Sequence, residues 1–172
     1  MQASQETPEE LRHAFGHLPS GVVAVCALVG GRPVGMAASS FVPVSLKPPL
    51  VSFCAARTSR TWEVLRQAPS LGVSVLAEDH ATLCRALASS AEDRFADVRW
   101  EAGESGAVFL PGTVLWLECA LDSEIEAGDH VIAVLRLHGT ALFPQVRPLV
   151  FHQGHFERLG PSQPPARTHA SA

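Results

Sequence analysis

Residues 35–61, GMAASSFVPVSLKPPLVSFCAARTSRT, decide the fold and the candidate site of this chain. Small residues and hydroxyls lie at the end of one apolar run, at residues 37–40, and a second polar group ends the next run, at residues 57–61. Two such strand ends can flank one ligand. Small side chains let a flat ring approach the backbone closely, whereas hydroxyls, the free N–H groups of a helix start and arginines suit a phosphate. The stretch therefore predicts a site for a phosphorylated planar cofactor.

Three segments of the sequence carry helix signals. The predicted N-caps are Thr7, Ser59 and Asp79. The first helix also has Pro8 at its first position and Glu10 completing a capping box, and it ends near Gly16. The buried faces are expected at Trp62, Val64 and Leu65 in the second helix and at Leu83, Cys84 and Leu87 in the third.

The remaining elements are predicted to be strands. They cover residues 21–29 and 32–41 as a hairpin around Gly30-Gly31, then 50–55, 71–77, 112–121 and 130–143. Lys47-Pro48-Pro49 cannot pair in a central ladder and is expected to be a connection. Long apolar runs with Gly and Pro between them favour a closed antiparallel barrel over parallel βαβ units.

Length and composition favour one domain. The chain has 172 residues, 47% of them hydrophobic, which is enough for a continuous core. We assign residues 1–159 to this domain and predict a disordered tail at residues 160–172, which are rich in Pro, Ser and Ala. A formal charge of −4 with no long run of like charge argues against nucleic acid as a main partner.

The cysteines and the start of the chain predict the compartment. Each cysteine lies inside an apolar run without a CxxC pair, so buried free thiols are expected at Cys26, Cys54, Cys84 and Cys119. The first ten residues are polar and acidic, unlike a signal peptide. No apolar stretch approaches the roughly 20 residues that span a bilayer. The sequence therefore predicts a cytoplasmic protein without a membrane partner.

Two later motifs complete a resemblance to a known family. Gly128-Asp129-His130 combines a residue that permits a kinked turn, a carboxylate that can orient an imidazole, and a histidine at a strand start. With residues 35–61 and the closing segment, residues 148–156, the chain resembles the short-chain flavin reductases over residues 11–159.

The resemblance implies a fold, an activity and partners. The implied fold is mainly β with flanking helices, a Greek-key split barrel that binds FMN and forms a homodimer. The implied activity is NAD(P)H-dependent reduction of FMN or FAD, with NADH or NADPH as hydride donor. The reduced flavin is passed to a partner flavin-dependent monooxygenase.

The resemblance also implies site residues. His130 is expected on the nicotinamide side of the flavin, where it positions the reductant and helps manage the proton at N1 or N5. The expected cofactor-binding residues are Ala37, Ala38, Ser39 and Ser40 at the ring and ribityl chain, Ser59 and Thr61 at the phosphate with Arg57 as a nearby cation, and Arg94 and Phe95 at the phosphate or an adenylate extension. Met36, Cys54, Ala55 and, in the closing segment, Phe156 complete the set.

The closing segment departs from the family pattern Tyr-His-x-Gly-Arg-Tyr. The chain has no tyrosine, its aromatic residues there are Phe151 and Phe156, and His155 replaces the arginine. Since histidine is at most a part-time cation, it binds a phosphate less firmly than a guanidinium. This departure keeps open an alternative, a flavin-binding split barrel without NAD(P)H turnover that acts as carrier, sensor or inactive subunit.

Other functions are less well supported by the sequence. A structural β-barrel interaction protein would require the two hydroxyl loops to be a coincidence. His152 and His155, like His13 and His17, are only pairs, whereas a structural or catalytic zinc needs three or four protein ligands, so no metal site is predicted. The G-x-S-x-G, G-x-G-x-x-G and P-loop motifs are absent from the sequence.

Overall fold

A computed structural model describes residues 7–91 and 93–160. In this part of the chain the helices are α1 (Pro8–Phe15), α2 (Arg60–Leu65) and α3 (Ala81–Ala88). The strands are β1 (Ser20–Gly21), β2 (Val23–Val29), β3 (Arg32–Ala38), β4 (Val42–Leu46), β5 (Pro49–Ala56), β6 (Leu71–Val75), β7 (Glu101–Ala102), β8 (Val108–Phe109), β9 (Leu115–Ala127), β10 (His130–Leu142), β11 (Leu149–His152) and β12 (His155–Arg158).

A seven-stranded antiparallel sheet forms the barrel. Its strand order is β3-β2-β6-β9-β10-β5-β4, and β1-β11-β12 and β7-β8 form smaller antiparallel sheets. The two 13-residue strands β9 and β10 make its longest hairpin, which turns at Gly128 with a φ of 65°. Large buried side chains fill the interior, among them Phe53, Trp62, Leu65, Leu71 and Leu135. The mainly β antiparallel architecture agrees with the prediction of a split barrel.

Ser40 joins two strands that the sheet order separates. Its hydroxyl accepts a hydrogen bond from the backbone N–H of Cys54 at 2.8 Å and lies 3.4 Å from the carbonyl oxygen of the same residue. The end of β3 is thereby tied to β5.

The strand β3 contributes to two apolar clusters. Val34, Met36 and Ala38 pack into the barrel core, whereas Ala37 packs against the second cluster, which includes residues of α3. Gly35 faces the second cluster, because a Cβ there would lie 2.5 Å from Sγ of Cys26 and 2.9 Å from Cζ of Phe95. The close approach of residue 95 to the strand therefore requires glycine.

Several predicted elements are confirmed. Thr7 and Glu10 form the predicted capping box of α1, and Gly16 is its C-cap. The hairpin around Gly30-Gly31 pairs β2 with β3, and the predicted turn lies between β9 and β10. Ser59 caps α2, where its hydroxyl accepts from the N–H of Trp62 at 3.1 Å.

Other predictions were wrong. Val64 is exposed, because only Trp62 and Leu65 lie on the buried side of α2. His80, not Asp79, occupies the N-cap of α3, without a side-chain cap bond. Cys54 is exposed, because β5 alternates its side chains between the two faces of the sheet. The strands β4, β7, β8, β11 and β12 lie outside the predicted strand ranges.

Two features bear on the chain as a whole. From residue 161 onward, the predicted tail lies outside the described residues. In the part of the chain that the structure describes, no helix is both long and apolar enough to span a membrane.

Candidate functional site

Two clefts lie along β3. The first, which we call the aromatic cleft, has a volume of about 360 Å³ and lies between the end of β3, α3 and the hairpin of β11 and β12. The second, the arginine cleft, has a volume of about 190 Å³ and lies between the middle of β3, α2 and the segment after α3. Strand β3 lines both clefts, so one extended ligand can contact both.

The aromatic cleft is an apolar slot with one cation. Small residues of the first hydroxyl loop, Ala37, Ala38 and Ser39, line it together with Phe151 and Phe156. The two phenylalanine rings are 5.5 Å apart, centroid to centroid. The guanidinium carbon of Arg85 lies 5.0 Å from the centroid of Phe156. Such a slot suits a flat ring compound that carries negative charge.

The arginine cleft is built around Arg94. Its Nη1 donates hydrogen bonds to the carbonyl of Gly35 at 3.3 Å, the hydroxyl of Thr61 at 3.1 Å and the carbonyl of Leu87 at 3.2 Å. These bonds join the guanidinium to β3, α2 and α3. A fixed guanidinium beside a hydroxyl is a suitable donor set for a phosphate.

Phe95 and Asp93 shape the same cleft. Phe95 is buried in the second apolar cluster, against Gly35, and its N–H donates to the carboxylate of Asp93 at 2.9 Å. Packing of the phenyl ring thus anchors the segment that carries Arg94. The predicted proximity of Arg94 and Phe95 to the phosphate loop is consistent with this geometry, since Thr61 lines the same cleft.

His130 lies beside the second hydroxyl loop. It pairs with Ala56 at the end of β5, and the N–H of Arg57 donates to the carbonyl of Asp129 at 3.0 Å. Nδ1 of His130 lies 2.8 Å from Oδ1 of Asp129. Because a carboxylate only accepts, this bond places the proton of a neutral imidazole on Nδ1 and leaves Nε2 as the acceptor. The bond from His130 lowers the pKa of Asp129.

The structure brings many of the predicted site residues together. Those in the aromatic cleft are Ala37, Ala38, Ser39 and Phe156, and those in the arginine cleft are Thr61, Arg94 and Phe95. Arg57 and Ser59 line a neighbouring groove of about 500 Å³ between α2 and the hairpin of β9 and β10.

Four predicted site residues have other surroundings. Met36 and Ala55 pack in the barrel core, and neither borders a cleft. Ser40 bonds to the backbone of Cys54, whose own side chain is exposed on β5. None of these four side chains lines either cleft among the described residues.

The sequence did not single out Arg85 or Glu124. Glu124 accepts from Nε1 of Trp62 at 2.7 Å and also binds Arg66, so it fixes α2 against β9. Sixty-two positions separate Trp62 from Glu124, and no local pattern signals such a contact. Arg85 follows a buried cysteine on α3 like any solvent-facing helix residue, and only the fold places it over Phe156.

The described ranges, 7–91 and 93–160, contain no set of side chains that could bind a resident metal ion. No cluster of three or more His, Cys, Asp or Glu residues suitable for a metal ion occurs there. The imidazole of His130 is bonded to Asp129 instead.

Most of the chain is similar to known proteins. The family described as flavin reductase like domain matches residues 15–160. The reductase subunit of a flavin-dependent monooxygenase from Rhodococcus jostii is 33% identical over 156 residues, which cover 91% of this chain and 80% of that protein. An NADH:FMN oxidoreductase from Rhodococcus qingshengii is 38% identical over 157 residues, covering 88% and 82%. The solved structure of a Streptomyces globisporus NADH:FAD oxidoreductase in complex with NAD and FAD fragments superposes with a TM-score of 0.84 at 36% identity, covering 92% of this chain and 98% of that one.

Proposed function

Because the chain belongs to the flavin reductase like family, we propose that it is an NAD(P)H:flavin oxidoreductase that reduces FMN or FAD. We further propose that it supplies the diffusible reduced flavin to a partner monooxygenase, as the name of the Rhodococcus jostii relative states for that protein. The observation that carries the proposal is the aromatic cleft beside the arginine cleft, because together they suit a ring and its phosphate.

The ring is proposed to lie in the aromatic cleft and the phosphate in the arginine cleft. Gly35 borders the arginine cleft and Ala37 borders the aromatic cleft, two positions further along β3. This separation is about 7 Å in an extended strand. A five-carbon ribityl chain can span it. Thr61 and Arg94 would then hold the phosphate through a hydroxyl and a guanidinium.

His130 is proposed to act on the nicotinamide side. The bound flavin supplies the hydride chemistry, so the protein provides position and proton management. With its Nδ1 proton held by Asp129, the imidazole offers Nε2 as a hydrogen-bond acceptor. The imidazole is partly exposed, with 44% of the side chain accessible, so a substrate can reach it. His130 lines neither cleft, so the proposed roles, orientation of the donor and exchange of a proton, rest on its exposure and on the tautomer that Asp129 fixes.

The walls of the aromatic cleft favour exchange of the flavin. Ala37, Ala38 and Ser39 are small, and the aromatic residues of the lining, Phe151 and Phe156, both come from the hairpin of β11 and β12. A wall of small side chains gives a planar ring less contact area than two aromatic walls would. The reduced product can therefore leave for a partner enzyme.

We propose a homodimer that uses the edge strand β4. Its apolar side chains are exposed to an unusual degree, at 51% for Val42, 54% for Val44 and 89% for Leu46. An exposed apolar edge strand is a ready surface for pairing with a second copy. Leu46→Glu should shift the protein to monomers in light scattering, and a Leu46→Glu variant that keeps the mass of a dimer would refute this interface.

We propose the cytoplasm as the site of action. All four cysteines are free, as is usual for proteins of a reducing compartment. NADH and NADPH, the proposed hydride donors, are regenerated in the cytoplasm.

The decisive experiment follows the oxidation of NADH and NADPH with added FMN, FAD or riboflavin, on protein of known flavin content. Flavin-dependent turnover is expected, and it would rank donors and acceptors in one series. Flavin binding without any turnover would instead favour the flavin-binding protein that acts as carrier, sensor or inactive subunit. If neither flavin binding nor turnover is observed, the proposed function is wrong.

A further inference from the structure

The guanidinium of Arg85 lies at the aromatic cleft, and its hydrogen-bond donors are not used by the described residues. Its guanidinium stacks over the ring of Phe156, with 5.0 Å between the guanidinium carbon and the centroid. Within residues 7–91 and 93–160 it donates no hydrogen bond and forms no ion pair, whereas Nη1 of Arg94 donates three hydrogen bonds. The stacking restricts the side chain and leaves its donors available to a ligand.

The surroundings of Arg85 favour an anion. Among the residues that line the aromatic cleft, Arg85 is the charged one, and no Asp or Glu is present. His155 on β12 is exposed and is not among the residues that line the cleft. Arg85 is therefore the residue of this cleft that can bind an anion, and it is supplied by α3.

Resting on the proposed function, we infer that Arg85 binds the phosphates of the nicotinamide hydride donor. A donor must stack on the open face of a ring held against Ala37 and Ser39, and its phosphates then need a cation of their own. Arg94 contacts α2, whereas Arg85 contacts β12. The flavin phosphate and the donor phosphates are thus bound by different cations on different elements.

The test compares two hydride donors in Arg85→Met, which keeps the length of the side chain and removes its charge. NADH carries phosphates, and N-benzyl-dihydronicotinamide carries none. The ratio of kcat/KM for NADH to kcat/KM for the benzyl donor should fall about tenfold, mainly through a higher KM for NADH. Arg32→Met is the matched control, because Arg32 is an exposed arginine at the start of β3 outside both clefts. Arg85→Lys should recover part of the ratio.

Two results would overturn the inference. One is an unchanged ratio in Arg85→Met, whether or not both individual rates fall. The other is weaker binding of FMN relative to riboflavin, since this would assign Arg85 to the flavin phosphate. If Arg85→Met does not fold, Arg85→Gln gives the same comparison with a polar side chain. A parent protein that oxidises neither donor would instead refute the proposed function.

Discussion

The two hydroxyl loops, residues 37–40 and 57–61, look alike in sequence but use their hydroxyls differently. In the first loop Ser40 bonds to the backbone of Cys54, and Ser39 borders the aromatic cleft. In the second loop Ser59 caps α2, and Thr61 accepts from Arg94. Each loop thus has one hydroxyl that stabilises the fold and one that lines a cleft. A hydroxyl is a ligand candidate only after its partners within the protein are known.

The loops also differ in the charge around them. The first loop faces phenylalanine rings and the single cation of the aromatic cleft. The second lies between Arg94 and the hydrogen-bonded pair of Asp129 and His130. The first region is therefore suited to an apolar ring, and the second to phosphate and proton chemistry.

The largest expected effect tests the chemistry assigned to the second region. His130→Ala should lower the rate of flavin reduction by about 100-fold, as expected for loss of a positioned acid–base group. FMN affinity should change by less than about twofold, because His130 does not line either cleft. Stopped-flow reduction measures the rate, and flavin fluorescence measures affinity. Asp129→Asn keeps the imidazole and should show an intermediate loss; equal rates for His130→Ala and the parent would remove the histidine from the mechanism.

The next effect separates the roles of Ser59 and Thr61 in the second loop. Thr61→Ala should weaken FMN binding by about 1.5 kcal/mol, roughly tenfold, with little change for riboflavin, which lacks the phosphate. Ser59→Ala should mainly lower the unfolding free energy, by about 1 kcal/mol, through loss of the cap. The double variant should therefore bind FMN about as weakly as Thr61→Ala alone. An unchanged FMN dissociation constant in the double variant would refute the phosphate assignment.

A smaller effect separates the two hydroxyls of the first loop. Ser40→Ala should lower the unfolding free energy by about 1 kcal/mol, because the N–H of Cys54 loses its partner. Ser39→Ala should stay within about 0.5 kcal/mol of the parent, as for an exposed substitution. Urea unfolding measures both. Equal unfolding free energies for the two variants would contradict the role of Ser40 in tying the end of β3 to β5.

The smallest effect concerns the reactivity of the four cysteine thiols in the folded protein. Burial raises the pKa of Cys26 and of Cys119 to about 12, and burial also raises the pKa of Cys84. Since the thiolate is the reactive form, only the exposed Cys54 should react quickly with Ellman's reagent near pH 8. Cys54→Ser should remove the fast phase, and urea should expose the remaining thiols. A fast phase that persists in Cys54→Ser would show that a buried cysteine is accessible.

Short sequence motifs correctly predicted those parts of the fold that depend on interactions between neighbouring residues. The capping box of Thr7 and Glu10 and the glycine hairpin act within a few residues, so the sequence sufficed. Strand β4 was missed because Lys47-Pro48-Pro49 was interpreted as a connection between strands. The strand lies at the edge of the sheet, where a proline such as Pro43 is tolerated.

The parts of the site that depend on local sequence signals were also predictable. The first hydroxyl loop begins at the end of β3 and the second follows β5, so both could be recognised in the sequence. The bond of Thr61 to Arg94 joins residues 33 positions apart. The stacking of Arg85 on Phe156 likewise depends on how α3 packs against β12. Contacts of this range follow from the tertiary fold, which no local pattern encodes.

The bond between Ser40 and Cys54 fixes the distance between the two hydroxyl loops, and with it the length of a ligand that contacts both. At one end of this segment, Cys54 is bonded to Ser40, next to the Ser39 that borders the aromatic cleft. At the other end, Ser59 caps α2. Between them lie the last residues of β5 and a turn in which the N–H of Ser59 donates to the carbonyl of Ala56 at 2.9 Å. An inserted residue after Ala56 would therefore shift Thr61 away from Ser39 and change the length of ligand that the protein accepts.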